Sequence, residues 1–242
     1  MKNESEFSEF FSILQPQYKA PFTTPPEDDD DERQPEKVYD FDKQNEVSKE
    51  AEEWFLRFAS RWKEQGIILD VLDVRENRAY QNMDIDFVCI MADKSKRTCE
   101  VKGDFTETGN LFAEYAVPSY DVDKNRKIIG RHASLGWLYG SKADFIFYYY
   151  SAYKKIYLLD LVEFSAWVDS MSLKCNFERR RCSRPFSIRG AKNLVDKNNP
   201  KGSYYYGLGY IIPLREIESA NKKRHFLKIY HIKTDGQDTP QP

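Results

Sequence analysis

Three charged side chains stand inside two runs that otherwise have the composition of buried strand. Asp86 lies in Met83-Asp84-Ile85-Asp86-Phe87-Val88-Cys89-Ile90, and Glu100 and Lys102 lie in Thr98-Cys99-Glu100-Val101-Lys102. Alternation along a strand sends Glu100 and Lys102 to one face, roughly 7 Å apart, and Cys99 and Val101 to the other. The same parity groups Asp84 with Asp86. The intervening Ala92-Asp93-Lys94-Ser95-Lys96 is polar and turn-like, which predicts an antiparallel hairpin. With Asp93 at its centre, Asp86 faces Glu100, and cross-strand partners have Cβ atoms about 5 Å apart. Two carboxylates that close repel unless a positive charge separates them. A divalent cation meets that need, because Mg²⁺ takes one or two carboxylates, keeps several waters and accepts phosphate oxygens for the rest. Lys102 would then hold an attacking water or stabilise charge on a phosphorane-like transition state. The chemistry expected of such a set is metal-assisted hydrolysis of a phosphodiester.

These elements need a scaffold. From Ser48 to Gln65 the residues Ala51, Trp54, Phe55, Phe58, Ala59 and Trp62 form an apolar stripe at helical spacing, with Ser48 as cap and Gly66 as stop. Glu50 and Glu52 flank the stripe and Glu53 points away. Ile67 to Val74 reads as the first strand, followed by the Asp86 and Glu100 strands. Asn110 to Val117 is expected to be a short helix carrying Glu114, an acid that could orient a second metal or a water, or close a surface salt bridge. A helical turn is expected over Ser134 to Leu138. Asp144 to Tyr150 and Lys155 to Leu161 predict a hairpin, Leu161 to Met171 a helix, Tyr204 to Leu214 a strand ending at Pro213, and Phe226 to Ile232 a last strand.

The set Asp86, Glu100, Lys102 and the order helix, strand, Asp-bearing strand, Glu-Val-Lys strand, helix, strand resemble the PD-(D/E)XK, or restriction-endonuclease-like, nuclease superfamily. Thr108-Gly109-Asn110-Leu111-Phe112-Ala113-Glu114-Tyr115, Gly136-Trp137-Leu138-Tyr139 and Lys142-Ala143-Asp144-Phe145 look like segments that follow the active-site strand in some phage and bacterial members. The resemblance spans roughly residues 47–161, with the usual latitude of boundaries read from sequence. It implies an α/β fold in which a mixed β-sheet is flanked by helices in αβββαβ order. It also implies Mg²⁺ or Mn²⁺ held by Asp86, Glu100 and the Val101 carbonyl, with Lys102 completing the catalytic set and Asp84, Glu114 and Glu52 as accessory acids. No Pro precedes Asp84 or Asp86, which leaves open which of the two is the first ligand; Asp86, followed directly by apolar strand residues, is favoured. The resemblance further implies an endonuclease acting on DNA rather than RNA. The rival expectation is a binding protein for nucleic acid or a protein partner that keeps the nuclease scaffold without the activity.

At 242 residues, 40% apolar and 31% charged, the chain has the length and composition of one globular domain with extensions. No apolar run approaches the length of about 20 residues that spans a membrane, and Met1-Lys2-Asn3-Glu4-Ser5-Glu6 is unlike a signal peptide, so a cytoplasmic protein without a membrane partner is expected. Four cysteines without a CxxC pair and three histidines at no zinc spacing predict no structural zinc. The net charge of −2 conceals an asymmetry: residues 1–46 carry 5 basic and 13 acidic groups, and residues 174–233 carry 15 basic and 4 acidic. The first segment, rich in Pro and acids, is expected to be disordered, as is a tail over 234–242, leaving a domain over 47–233. Arg126, Lys127 and Arg131, and the cluster Arg179, Arg180, Arg181 and Arg184, are the residues expected to contact a phosphate backbone. A homodimer partner or a protein activator is compatible with the same composition.

Overall fold

The structure is a computed structural model that describes residues 41–122, 128–172, 175–176, 181–182, 187–193 and 203–232. It is a mixed α/β arrangement in which a mixed sheet is flanked by helices. A long helix, α1 (Phe41–Glu64), leads into β1 (Ile68–Asp73), a one-turn α2 (Arg78–Gln81), β2 (Phe87–Met91) and β3 (Lys96–Asp104). Two further strands, β4 (Asn110–Val122) and β5 (Ile128–Leu135), precede the one-turn α3 (Trp137–Gly140). The hairpin of β6 (Phe145–Tyr150) and β7 (Lys155–Asp160) follows, then α4 (Leu161–Ser172). After the short β8 (Cys175–Asn176) and β9 (Arg181–Cys182) come β10 (Ser187–Asn193), β11 (Ser203–Pro213), α5 (Leu214–Arg224) and β12 (Leu227–His231).

The main sheet has the order β1-β2-β3-β6-β7-β12. Its ladders are antiparallel except β3 with β6, which run parallel. Parallel neighbours require a crossover, most often a helix. Here the crossover is made by β4, β5 and α3, and β4 and β5 join a second, four-stranded antiparallel sheet of order β10-β11-β4-β5.

The expected helix over Asn110 to Val117 is therefore a strand. Leu111, Ala113 and Tyr115 are buried while Phe112, Glu114 and Ala116 are less so, a period of two that matches a pleat. Three other expectations change. α1 begins at Phe41, ahead of the expected Ser48 cap, so the folded part includes residues 41–46. Residues 84–86 lie outside β2, and Asp84 has a left-handed backbone (φ 51), so strand parity does not govern it. Residues 214–224, for which no element was expected, form α5.

The core divides across the main sheet. On one face the α1 stripe, with Phe55 fully buried, packs on Phe87, Cys99, Phe147 and Ile156; the Phe55 and Phe87 rings stack at 4.4 Å. On the other, Leu111 and Tyr115 of β4 and Trp137 of α3 pack on Ile146, Tyr148 and Leu159. α1 reaches the end of β3 because Gly103 has no Cβ: one added there would lie 2.6 Å from the Val47 carbonyl oxygen, and Gln44 Nε2 donates to the Gly103 oxygen at 2.9 Å. That contact fixes the backbone immediately after Lys102.

Candidate active site

β2 and β3 pair from Phe87↔Cys99 to Ile90↔Lys96, a register centred on Asp93 whose last pair stops one residue short of Asp86 and Glu100. The Asp86 amide donates to the Cys99 oxygen at 3.0 Å, one residue off the ladder's register, so Asp86 sits beside the end of the ladder and the expected backbone pairing with Glu100 is not formed. Asp86 Oδ2 in turn accepts the Val101 amide at 2.7 Å. Because a strand residue's N–H and C=O point to the same edge, the Val101 carbonyl also turns toward Asp86. On the far edge of β3, Asp144 locks it to the start of β6: Oδ2 accepts from the Thr98 amide at 2.7 Å and from the Thr98 hydroxyl at 2.9 Å.

Glu100 is 3% exposed, an unusual state for a carboxylate. Its Oε1 pairs with Lys102 Nζ, and its Oε2, also buried, accepts no hydrogen bond. Ser141 lies beside it, but a hydroxyl has a single proton and Ser141 Oγ donates to the Asp84 carbonyl oxygen at 3.1 Å. Lys102 is 36% exposed along its side chain, so the pair has one member inside and one at the surface.

Burial drives the electrostatics. It raises the Glu100 carboxyl above its ordinary value against the pull of Lys102, and raises Asp86 against the Val101 amide and the Lys102 and Arg75 charges. Burial works to lower the Lys102 ammonium, but Glu100 overrides it and the net shift is upward. Glu114, on β4 of the second sheet, is pushed up to about 7, first by burial and then by the Glu100 and Asp84 charges, with Lys102 opposing. Asp84, Asp86, Glu100 and Glu114 thus all lie in electrostatic reach of the Lys102 ammonium, so acids outnumber bases around it.

That imbalance and the orphaned Glu100 oxygen fit a small cation. Among the described residues no three His, Cys, Asp or Glu side chains converge as a cage. A set of two carboxylates and a carbonyl, from Asp86, Glu100 and Val101, would suit Mg²⁺ with its retained waters better than a metal needing four protein ligands.

Two neighbours of the site escaped the sequence reading. Arg75, in the turn after β1, donates to Asp73 through Nε at 2.9 Å and Nη2 at 2.6 Å, pairs with Glu52 through Nη1, and lies over the Phe87 ring at 5.0 Å. Its charge reaches Asp86. Glu52 is therefore bound by Arg75. Ser141, which follows α3, ties Asp84 to the Ala143 amide, whose N–H it accepts at 3.1 Å. Neither role has a local signal, since both rest on contacts between elements distant in sequence.

Of the expected phosphate-contacting residues, Arg126, Lys127, Arg179, Arg180 and Arg184 lie outside the described residues. Arg131 falls on β5 and Arg181 on β9. No helix among the described residues is long and apolar enough to cross a membrane. No protein-family model, no curated protein and no solved structure matches the chain.

Proposed function

We propose that the protein is a Mg²⁺-dependent nuclease that hydrolyses phosphodiester bonds, with DNA as the favoured substrate, built on a restriction-endonuclease-like core. The observation that carries the reading is the buried Glu100, its Oε2 left without a partner and Lys102 alongside, with Asp86 in electrostatic reach of the same lysine. An unpartnered buried carboxylate oxygen is costly, and such groups are kept where something must bind. Antiparallel β1-β2-β3 with β6 parallel to β3 and α1 across one face supports the αβββαβ core, its second helix replaced by β4, β5 and α3.

Asp86, Glu100 and the Val101 carbonyl would hold the cation. When bound, it supplies Lewis-acid polarisation of the scissile phosphate and charge neutralisation at the leaving oxygen. Lys102 orients the hydrolytic water and offsets charge as it develops. Asp86 is fixed for its part by the Val101 amide, and Arg75, itself held by Asp73 and Glu52, lends positive charge beside it.

A second reading, a nucleic-acid- or partner-binding protein on the same scaffold, draws support from the direct Glu100–Lys102 pairing, which occupies the lysine. The two separate on one experiment. Supercoiled plasmid, single-stranded DNA and RNA are incubated with the protein in Mg²⁺, Mn²⁺ or EDTA, beside Asp86→Ala and Lys102→Ala. Metal-dependent cleavage lost in both variants is the expected result. Salt-sensitive binding without cleavage in any of the three proteins would select the scaffold reading.

A further inference from the structure

We infer that Glu114, delivered by the second sheet, is a positioning acid of this same site, accepting hydrogen bonds from the waters that the cation retains. The inference rests on the nuclease reading and adds to it a residue that lies outside the β2–β3 hairpin.

The strand that carries Glu114 is β4. Its ladder with β11 runs regularly from Ser203↔Asp121 to Leu208↔Ala116, then shifts to Gly209↔Glu114, so Tyr115 is an extra residue in the strand. Such a bulge bends a strand and re-aims its side chains, and bulges gather beside functional sites. The Tyr115 carbonyl is taken up by the Gly136 amide at 3.0 Å, which anchors the bend to the start of α3.

Two glycines then make a slot for Glu114. A Cβ at Gly136 would meet the Glu114 carbonyl oxygen at 2.4 Å and its Cγ at 2.6 Å, and a Cβ at Gly207 would lie 2.4 Å from Glu114 Oε1. The chain gives up two side chains to seat one carboxylate. No hydrogen bond or ion pair within the described residues holds that carboxylate, yet it lies within electrostatic reach of Glu100, Lys102 and Asp84. Glu100, whose charge acts on Glu114, itself has a buried Oε2 that accepts no hydrogen bond. Because three acids do not close on a single point, Glu114 acts through water, and Mg²⁺ or Mn²⁺ keeps waters whose protons need acceptors.

The test is Mn²⁺ affinity, followed by isothermal titration and by the electron paramagnetic resonance signal of free Mn²⁺, on the full chain and on Glu100→Gln, Glu114→Gln, Glu114→Asp and Gly207→Ala. Melting temperature in EDTA is recorded for each. Glu114→Gln is expected to weaken Mn²⁺ binding by about tenfold with no fall in melting temperature, and Glu114→Asp to recover part of the loss. Gly207→Ala, which displaces the carboxylate while keeping its charge, should shift affinity in the same direction. Wild-type affinity in Glu114→Gln, with binding abolished in Glu100→Gln, overturns this inference and leaves the nuclease reading standing. Loss of affinity accompanied by a lower melting temperature in Glu114→Gln assigns the residue to packing and also overturns it. A wild-type chain that binds no Mn²⁺ overturns both.

Discussion

Two glutamate–lysine pairs touch the same sheet and could hardly be built more differently. Glu50, on α1, accepts from the Tyr149 hydroxyl at 2.6 Å and pairs with Lys154 Nζ at 3.2 Å; Lys154 also donates to that hydroxyl at 3.0 Å. Both side chains stand substantially in solvent, 38% and 47% exposed, so whatever the protein leaves unbonded, water completes. Glu100 has 4% of its side chain exposed, one oxygen on Lys102, the other on nothing, and Asp84 and Glu114 in electrostatic reach. A stabilising polar cluster closes on itself, whereas one retained for binding stays open. Buried ion pairs are poor stability devices, because desolvation offsets most of their attraction. On the proposed function, the open cluster is kept for the cation it would hold.

The largest effect separating the two clusters is expected in catalysis. Glu100→Gln, Asp86→Ala and Lys102→Ala should each lower Mg²⁺-dependent cleavage by about 10²–10⁴, while Glu50→Gln leaves it unchanged. Single-turnover cleavage of a labelled duplex reads this directly, and an equal loss in Glu50→Gln would erase the distinction. Next comes stability. Lys102→Met leaves the Glu100 carboxylate buried without a counter-charge, at a cost of roughly 2–4 kcal/mol, somewhat below the usual 3–5 because Lys102 is partly solvated. Urea midpoints in EDTA measure it, and the double variant with Glu100→Gln should regain most of the loss.

How much of this was legible beforehand follows from where each signal resides. The β2–β3 register was readable because alternation and a polar turn both act within twenty residues of chain, and the structure has the ladder centred on Asp93, though it ends at Phe87↔Cys99, short of the expected Asp86–Glu100 pair. The α1 stripe and the β6–β7 hairpin were readable for the same reason. β4 was not, since a short apolar run fits helix or strand equally and its partner β11 lies far along the chain. α5 was missed because, of its residues, Leu214 and Ile217 alone are buried. Arg75 and Ser141 become visible only when the turn after β1 and the loop after α3 meet β2. Local periodicity gave the hairpin that carries Glu100 and Lys102; the second sheet, which carries Glu114, depends on pairing between distant segments.

Glu114 sharpens the contrast through pH. Its carboxyl is near 4.5 when unfolded and at about 7 when folded, so folding favours the protonated form. Stability from this group is fully present below pH 4.5 and is lost as pH rises toward 7. Glu114→Gln, which cannot ionise, should therefore be more stable than wild type at pH 8 by roughly 1–3 kcal/mol in EDTA, and equal to it near pH 4.5. Chemical unfolding at the two pH values measures the crossover. A constant difference across that range would remove Glu114 from the electrostatics of the open cluster.

The smallest effect belongs to the closed cluster. Lys154→Met removes one donor to Glu50, but Tyr149 keeps its hydrogen bond and solvent reaches the carboxylate, so a loss of less than about 1 kcal/mol is expected. The Lys154 backbone is left-handed (φ 47), and methionine tolerates that no better than lysine, so backbone strain cancels in the comparison and the difference reports the side chain. Raising salt to 1 M should shrink the loss further, since the pair is exposed and screened, whereas the Lys102→Met loss, arising at a buried carboxylate, should persist. Equal salt sensitivity at both sites would mean that Glu100 is as solvated as Glu50, and the division between a cluster that stabilises and one that binds would fail at its physical root.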